Sequence, residues 1–278
     1  MEKRIGILHF SSTGTTEKIC KKIVTGMGES KPQILNMTSL ETRKNILTDS
    51  AVVTDNVDHL IVGAPVHSGK IPVQVIECLK QLNGNGKECS AIVVYGNRDY
   101  GIALHAMVKL LSEAGFKIAS AAAFIGQHTY SDIVPVAVGR PDRSDMKVAQ
   151  LFGFMSLNVT EVLNLDDIPI QLDKYSKSNR YTSLKPNYNK NLCKQCGRCS
   201  ALCPLSLIAP DNGSYLHPSS KKRCIGCMAC VKGCKQSARE LKVNPLVKIV
   251  MNRLLKQAAV RWQEPITIFK ENSRTKLN

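Results

Sequence analysis

Apolar and polar positions over the first 165 residues follow two alternating rhythms. Residues 4–10, Arg4-Ile5-Gly6-Ile7-Leu8-His9-Phe10, form the short apolar run that a buried strand requires. From Glu17 to Met27, Ile19, Ile23, Val24 and Met27 fall at helical spacing instead. Strand-like runs return at 33–37, 59–64, 90–96 and 117–126. Helix-like runs return at 73–82, 102–114 and 142–157, with a smaller one at 40–47. Five strands alternating with helices predict an α/β domain over 1–165, a doubly wound five-stranded parallel sheet.

In such a sheet, ligands bind beyond the carboxyl ends of the strands. Three loops lie there. The first is Ser11-Ser12-Thr13-Gly14-Thr15-Thr16, between a strand and a helix N-terminus. Its backbone N–H groups and the helix dipole favour a phosphate, and its hydroxyls add uncharged donors. It contains no Lys or Arg, and the chain has neither G-x-x-x-x-G-K-[ST] nor G-x-G-x-x-G. That argues against nucleotide hydrolysis and dinucleotide binding and for a mononucleotide monoester. The second loop holds Pro65, Val66, His67, Ser68 and Gly69; the third holds Gly96, Asn97, Arg98, Asp99 and Tyr100.

The rhythm stops at residue 166. Residues 166–191 are polar and irregular and read as a linker. Residues 192–240 then carry two copies of one cysteine spacing: Cys193, Cys196, Cys199 and Cys203, then Cys224, Cys227, Cys230 and Cys234. This C-x2-C-x2-C-x3-C run holds cubane iron–sulfur clusters, and the fourth cysteine of each run ligates the cluster of the other. The expected sets are therefore Cys193, Cys196, Cys199 and Cys234 around one [4Fe–4S] cluster, and Cys203, Cys224, Cys227 and Cys230 around a second. Structural zinc wants pairs of ligands split by a longer spacer, which fits poorly. Gly197, Gly226 and Gly233 are expected where the backbone approaches sulfur. Pro204 follows Cys203 but Lys235 follows Cys234, so the turn after the second run is expected to differ. Asp211-Asn212-Gly213-Ser214 reads as a hairpin turn. Cys20, Cys78 and Cys89 are expected to be buried apolar residues.

Residues 241–278 are read as a basic amphipathic helix and tail. Asn244 and Pro245 mark the helix start. Leu246, Val247, Val250, Met251, Leu254, Leu255 and Ala258 form its apolar stripe, and Trp262 at its end is expected to pack against the protein. The expectation is that the stripe packs on one of the domains; peripheral membrane contact through 245–262 is the less favoured alternative. Residues from about Glu271 onward are expected to be disordered.

Charge sharpens this division. From residue 186 onward, 17 Lys and Arg face 4 Asp and Glu, out of 38 and 22 in the whole chain. So basic a region suggests an acidic partner, an anionic substrate or an anionic membrane surface, and an acidic redox partner protein is the expectation. No nucleic-acid recognition motif is present, so no nucleic acid is expected. No apolar run approaches a membrane span and no secretory signal opens the chain, so a cytoplasmic location with reduced thiols is expected.

The three loops resemble those of flavodoxins. The Ser-x-Thr-Gly-x-Thr stretch is similar to the flavodoxin phosphate loop. Gly63-Ala64-Pro65-Val66-His67-Ser68-Gly69-Lys70-Ile71-Pro72 looks like the second flavin loop, and Tyr95-Gly96-Asn97-Arg98-Asp99-Tyr100 like the third. The resemblance implies that the first loop binds the phosphate of FMN and the other two its isoalloxazine, with Tyr100 as the stacking candidate. His67 falls where relatives often carry an aromatic residue. Residues 3–240 as a whole resemble flavodoxin–ferredoxin fusion proteins of the EFR ferrodoxin family. The closer marks are Val94 to Arg98, Gly126-Gln127-His128-Thr129-Tyr130-Ser131, Gly139-Arg140-Pro141-Asp142 and the ordered cysteine runs. Family members are presumed redox proteins with FMN and two [4Fe–4S] clusters.

Three readings follow. The chain relays electrons between FMN and two clusters without a substrate of its own; or it is an FMN/iron–sulfur oxidoreductase acting on a small molecule; or it is an adaptor that has lost FMN. No catalytic residue is identified. His128, in the long loop 126–142, is a candidate proton donor to reduced flavin, and Asp142 or Ser144 a plain helix cap.

Overall fold

The computed structural model describes residues 3–170, 184–217 and 219–270. The first 165 residues form the expected alternation: β1 (Ile5–His9), α1 (Thr15–Gly26), β2 (Gln33–Asn36), α2 (Leu40–Thr48), α3 (Ala51–Thr54), β3 (His59–Pro65), α4 (Val73–Leu79), β4 (Glu88–Tyr95), α5 (Ala103–Glu113), β5 (Lys117–Ile125) and α6 (Arg143–Ser156). The strand order β2-β1-β3-β4-β5 is parallel throughout, the flavodoxin-like winding. Both faces of the sheet are covered, which is why its strands are apolar at consecutive positions. Ile5, Ile7, Ile61, Ile92 and Phe124 pack on one face against α1 and α6. Leu8, Leu60, Val62, Ala91 and Val93 pack on the other against residues of α4 and α5.

The sheet has six strands, not the five expected. Residues of the tail form β8 (Ile266–Ile268), which pairs antiparallel with Ala121–Ala123 of β5. An uncovered β5 edge would present unpaired backbone groups to other chains. The signal was present in Ile266-Thr267-Ile268-Phe269, a β-branched and aromatic run.

The second unit is small. It contains β6 (Asn187–Tyr188), α7 (Arg198–Ala201), α8 (Ser220–Arg223), α9 (Ala229–Lys232) and β7 (Arg239–Glu240). β6 pairs antiparallel with β7, so residues 187–188 join this unit from within the expected linker. The hairpin turn at 211–214 is present, with Ile208 bridged to Tyr215. The two units touch. The buried Arg43 of α2 donates to the carbonyls of Met37, Thr38 and Pro204. The Leu184 N–H donates to the Tyr130 hydroxyl at 3.0 Å.

The tail follows as α10 (Pro245–Val260), capped by the Asn244 side chain. Leu255 and Ala258 are buried against Val134 and Val136 of the 126–142 loop. The rest of the stripe is less covered; Leu246, Val250 and Leu254 are exposed. Trp262 stays 65% exposed, contrary to expectation. It offers one face to the Arg140 guanidinium, 4.1 Å from its ring centre, and donates to Glu264. Among the described residues no helix is long and apolar enough to cross a membrane. The expected disorder beyond residue 270 lies outside the described residues, as does the stretch 171–183 of the linker.

Candidate functional site

A cavity of about 260 Å³ opens at the carboxyl ends of the strands. Ser11, Ser12, Thr13, Thr15 and Thr16 line one end of it. Gly14 is the N-cap of α1 at φ 84, a left-handed conformation that suits glycine, and it presents backbone rather than a side chain. Pro65, Val66, His67, Ser68 and Gly69 line a second wall; Tyr95, Gly96, Arg98 and Asp99 line a third. The second and third loops touch through glycines: a Cβ on Gly101 would lie 2.6 Å from the Gly69 carbonyl oxygen.

Two expected site residues point elsewhere. Tyr100 is 1% exposed within the core and meets Tyr95 edge-on at 5.6 Å. Its ring fills space beneath the loop and is not free to stack on a ligand. Asn97, at φ 60, turns its amide away to donate to the carbonyls of Ala258 and Arg261. The aromatic side chains that do line the cavity are Tyr95 and Tyr130, the latter from the long loop.

The lining asks for a polar ligand. Ser12 Oγ, His67 Nδ1 and Tyr95 OH are buried there without a hydrogen-bond partner. Buried polar atoms are normally paired, so each is an open contact for a bound group. Ser12 Oγ also lies near enough to the Cys227 thiol to favour its thiolate, though outside ordinary hydrogen-bond limits. Uncharged hydroxyls beside the N-terminus of α1, with aromatic side chains further along, fit a flavin mononucleotide. Burial lowers the pKa of His67 to about 4. Burial, reinforced by Arg98, does the same to His128. His128 Nδ1 accepts the Tyr130 N–H, so the neutral ring carries its proton on Nε2. It can offer a hydrogen bond near pH 7 but holds no spare proton, which weighs against the expected proton-donor role. Asp142 caps α6, accepting from the N–H groups of Ser144 and Asp145.

The eight paired cysteines surround two further cavities. Cys203, Cys224, Cys227 and Cys230 line a small one of about 20 Å³. Cys193, Cys196, Cys199 and Cys234 line an open one of about 360 Å³. These are the two crossed sets that the spacing predicts. The loops are built alike. Gln195 and Gly226, then Gly197 and Met228, take left-handed conformations at matching places. The Gln195 N–H donates to Cys193 Sγ and the Gly226 N–H to Cys224 Sγ, at 3.3 and 3.4 Å. Such N–H···S contacts set cluster potentials. The turns after Cys203 and Cys234 also match. Ser206 and Ser237 both have positive φ and donate their N–H to the carbonyls of Cys203 and Cys234. Lys235 therefore does not alter the turn, contrary to expectation. A Cβ on Gly233 would meet Leu202 Cδ1 at 2.1 Å and no cysteine sulfur, so this glycine makes room for a leucine and not for a thiolate as expected.

The inner set is the more buried. Desolvation pushes Cys227 up to about 11 and Cys230 up to about 12, so thiolate there calls for a metal's charge. Cys227 borders two cavities, its own and the larger one beside Ser12, together with Ile225 and Gly226. Met251, Leu254 and Leu255 of α10 close the remaining side. Cys20, Cys78 and Cys89 are buried, as expected of apolar residues.

Residues 192–239 match the model of the 4Fe–4S dicluster domain. The chain is a fusion of a flavodoxin-like domain and a 4Fe–4S module. The fusion's second unit is 37% identical over 59 residues to the electron transport protein HydN of Escherichia coli (strain K12), covering 20% of this chain. The chain spans about a third of that relative's length, 33%. The first unit is similar to rubredoxin oxygen:oxidoreductase from Desulfovibrio gigas, at 15% identity and a TM-score of 0.41, over 56% of this chain and 35% of that one. It is also similar to a short-chain flavodoxin associated with a non-canonical PDU bacterial microcompartment, at 15% identity and a TM-score of 0.42, over 57% and 98% of the two chains. The fold itself rests on the fusion's own strand order.

Proposed function

We propose that this electron-transfer flavo-iron–sulfur protein relays electrons between FMN and two [4Fe–4S] clusters. Ser11 to Thr16 would hold the phosphate, and the loops at 65–69 and 96–99, with Tyr130, the ring system. Cys203, Cys224, Cys227 and Cys230 would hold an inner cluster, and Cys193, Cys196, Cys199 and Cys234 an outer one. A flavin supplies both one- and two-electron chemistry and a cubane cluster one-electron steps, so together they join two kinds of carrier.

The observation that carries this reading is the double position of Cys227, a wall of both the flavin cavity and the inner cysteine cavity. The order flavin site, inner set, outer set follows from it. At the far end Cys196 is exposed and Lys194, Arg198 and Lys235 border the outer cavity. That end suits docking of an acidic one-electron partner. The relay is favoured over a small-molecule oxidoreductase by space. Ile225, Gly226 and Cys227 and residues of α10 share the lining of the cavity of about 260 Å³ with the three loops, which suits one bound cofactor walled by protein. Eleven cysteines without a disulfide suit a reducing, cytoplasmic setting.

Anaerobic purification with iron, sulfide and flavin quantitation tests the reading. The expected content is about eight irons and one FMN per chain. Zinc in place of iron, about four irons, or no flavin uptake from excess FMN would each overturn it.

A further inference from the structure

Among the described residues, Arg239 is the one strongly basic side chain buried inside the cysteine-bearing unit. It is 2% exposed. Its guanidinium carbon lies 5.0 Å from the Tyr188 ring centre and 4.8 Å from that of Tyr215. Nη2 donates to the Gly213 carbonyl. Nε and Nη1 are buried without a partner. Among the described residues no carboxylate forms an ion pair with it. Burying an unpaired cation costs several kcal/mol, and buried charges are therefore paired or face a counter-ion.

Its surroundings say where that counter-ion belongs. Tyr188 and Arg239 line the outer cysteine cavity and Tyr215 lines the inner one. The Tyr188 side chain contacts Cys193, and the Tyr215 side chain contacts Cys224. Arg239 thus borders the outer set directly and meets the inner one through the ring of Tyr215. A cubane core with four thiolates carries about two negative charges when oxidised, and one more after taking an electron. Two such groups in one small unit repel, and each reduction opposes the next.

Resting on the two-cluster reading above, we infer that Arg239 is the shared counter-cation of both clusters. It offsets the charge of each, raises both reduction potentials, and keeps reduction of one cluster from blocking reduction of the other. Tyr188 and Tyr215 hold its plane and exclude water, so the charge is weakly screened. Arg239 is a positioning and tuning residue and ligates nothing.

The test is a redox titration of reconstituted holoprotein followed by EPR, with iron quantitated in every sample. Arg239→Gln removes the charge and keeps most of the bulk. At the wild-type midpoint, the reduced fraction of both clusters is expected to fall about tenfold, about 59 mV for a one-electron couple. Arg239→Lys keeps the charge and is expected to hold both within about threefold of wild type. An R239Q protein with both clusters loaded and both potentials unchanged, or with only one shifted, overturns the inference. If R239Q does not load, R239K decides. Two clusters at near wild-type potentials support the role of charge, and failure to load or a shift of tenfold or more overturns it. Wild-type protein with about four irons would instead sink the two-cluster reading, so the two failures are distinguishable.

Discussion

His67 and His128 show what single side chains contribute to the flavin cavity. Both line it, and burial holds the pKa of each near 4. The unfolded chain takes up these protons at about pH 6.5. The folded chain binds fewer protons between those values, so its stability falls as pH is lowered through that window. His128→Gln is expected to lessen this loss, seen as a smaller drop in urea midpoint between pH 7 and pH 5. It will not abolish it, because His67 and His9 are depressed in the same direction. An unchanged drop would mean that His128 is not held neutral by the fold. Residue types at this scale were partly legible. The hydroxyl loop and the eight paired cysteines stand where their spacing put them. Tyr100 did not follow its loop, because ring direction there is set by core packing beneath the loop and not by local sequence. Arg239 was not legible, since Ser237-Ala238-Arg239-Glu240 reads as an ordinary polar strand end.

Elements were the most predictable level, because hydrophobic period and caps are local properties. Five strands, their helices and the caps at Asp142 and Asn244 all appear as read. How closely elements approach was hidden. α1 and α6 cross through two glycines: a Cβ on Gly26 would lie 1.8 Å from the Gln150 carbonyl oxygen, and one on Gly153 1.9 Å from that of Ile23. Backbone cannot yield as a flexible side chain does. Gly153→Ala is expected to destabilise the protein by about 1–3 kcal/mol, lowering Tm by about 2–4 °C per kcal/mol for a domain of this size. Calorimetry on the variant checks this, and a Tm equal to wild type would show that the helices part freely. α10 and β8 belong to the same lesson. The amphipathic stripe announced a helix, but its role as the wall closing the flavin cavity rests on Asn97 and Ala258, 161 residues apart, and on Gln263 donating to the Asn97 carbonyl.

For the molecule as a whole, charge has a direction. Lys194, Arg198 and Lys235, part of the basic surplus from residue 186 onward, border the outer cysteine cavity, at the end of the proposed relay. Electron exchange with a small acidic carrier is therefore expected to slow about tenfold between 20 and 200 mM salt, while a neutral carrier of similar potential is insensitive. Stopped-flow traces of cluster bleaching measure both; equal salt dependence would remove the case for an acidic partner. The amino-acid sequence by itself determined the alternating α/β unit, the anion-binding loop, the crossed cysteine sets and the division of charge. Each is carried by neighbours in the chain, through period, spacing or composition. Tertiary structure alone decided that Cys227 borders the cavity at the strand ends, that the tail lines that cavity and edges the sheet, and that a buried arginine lies beside the outer set of thiols. Those facts depend on burial shared by segments far apart in the chain, and desolvation acts on the neighbours that folding supplies.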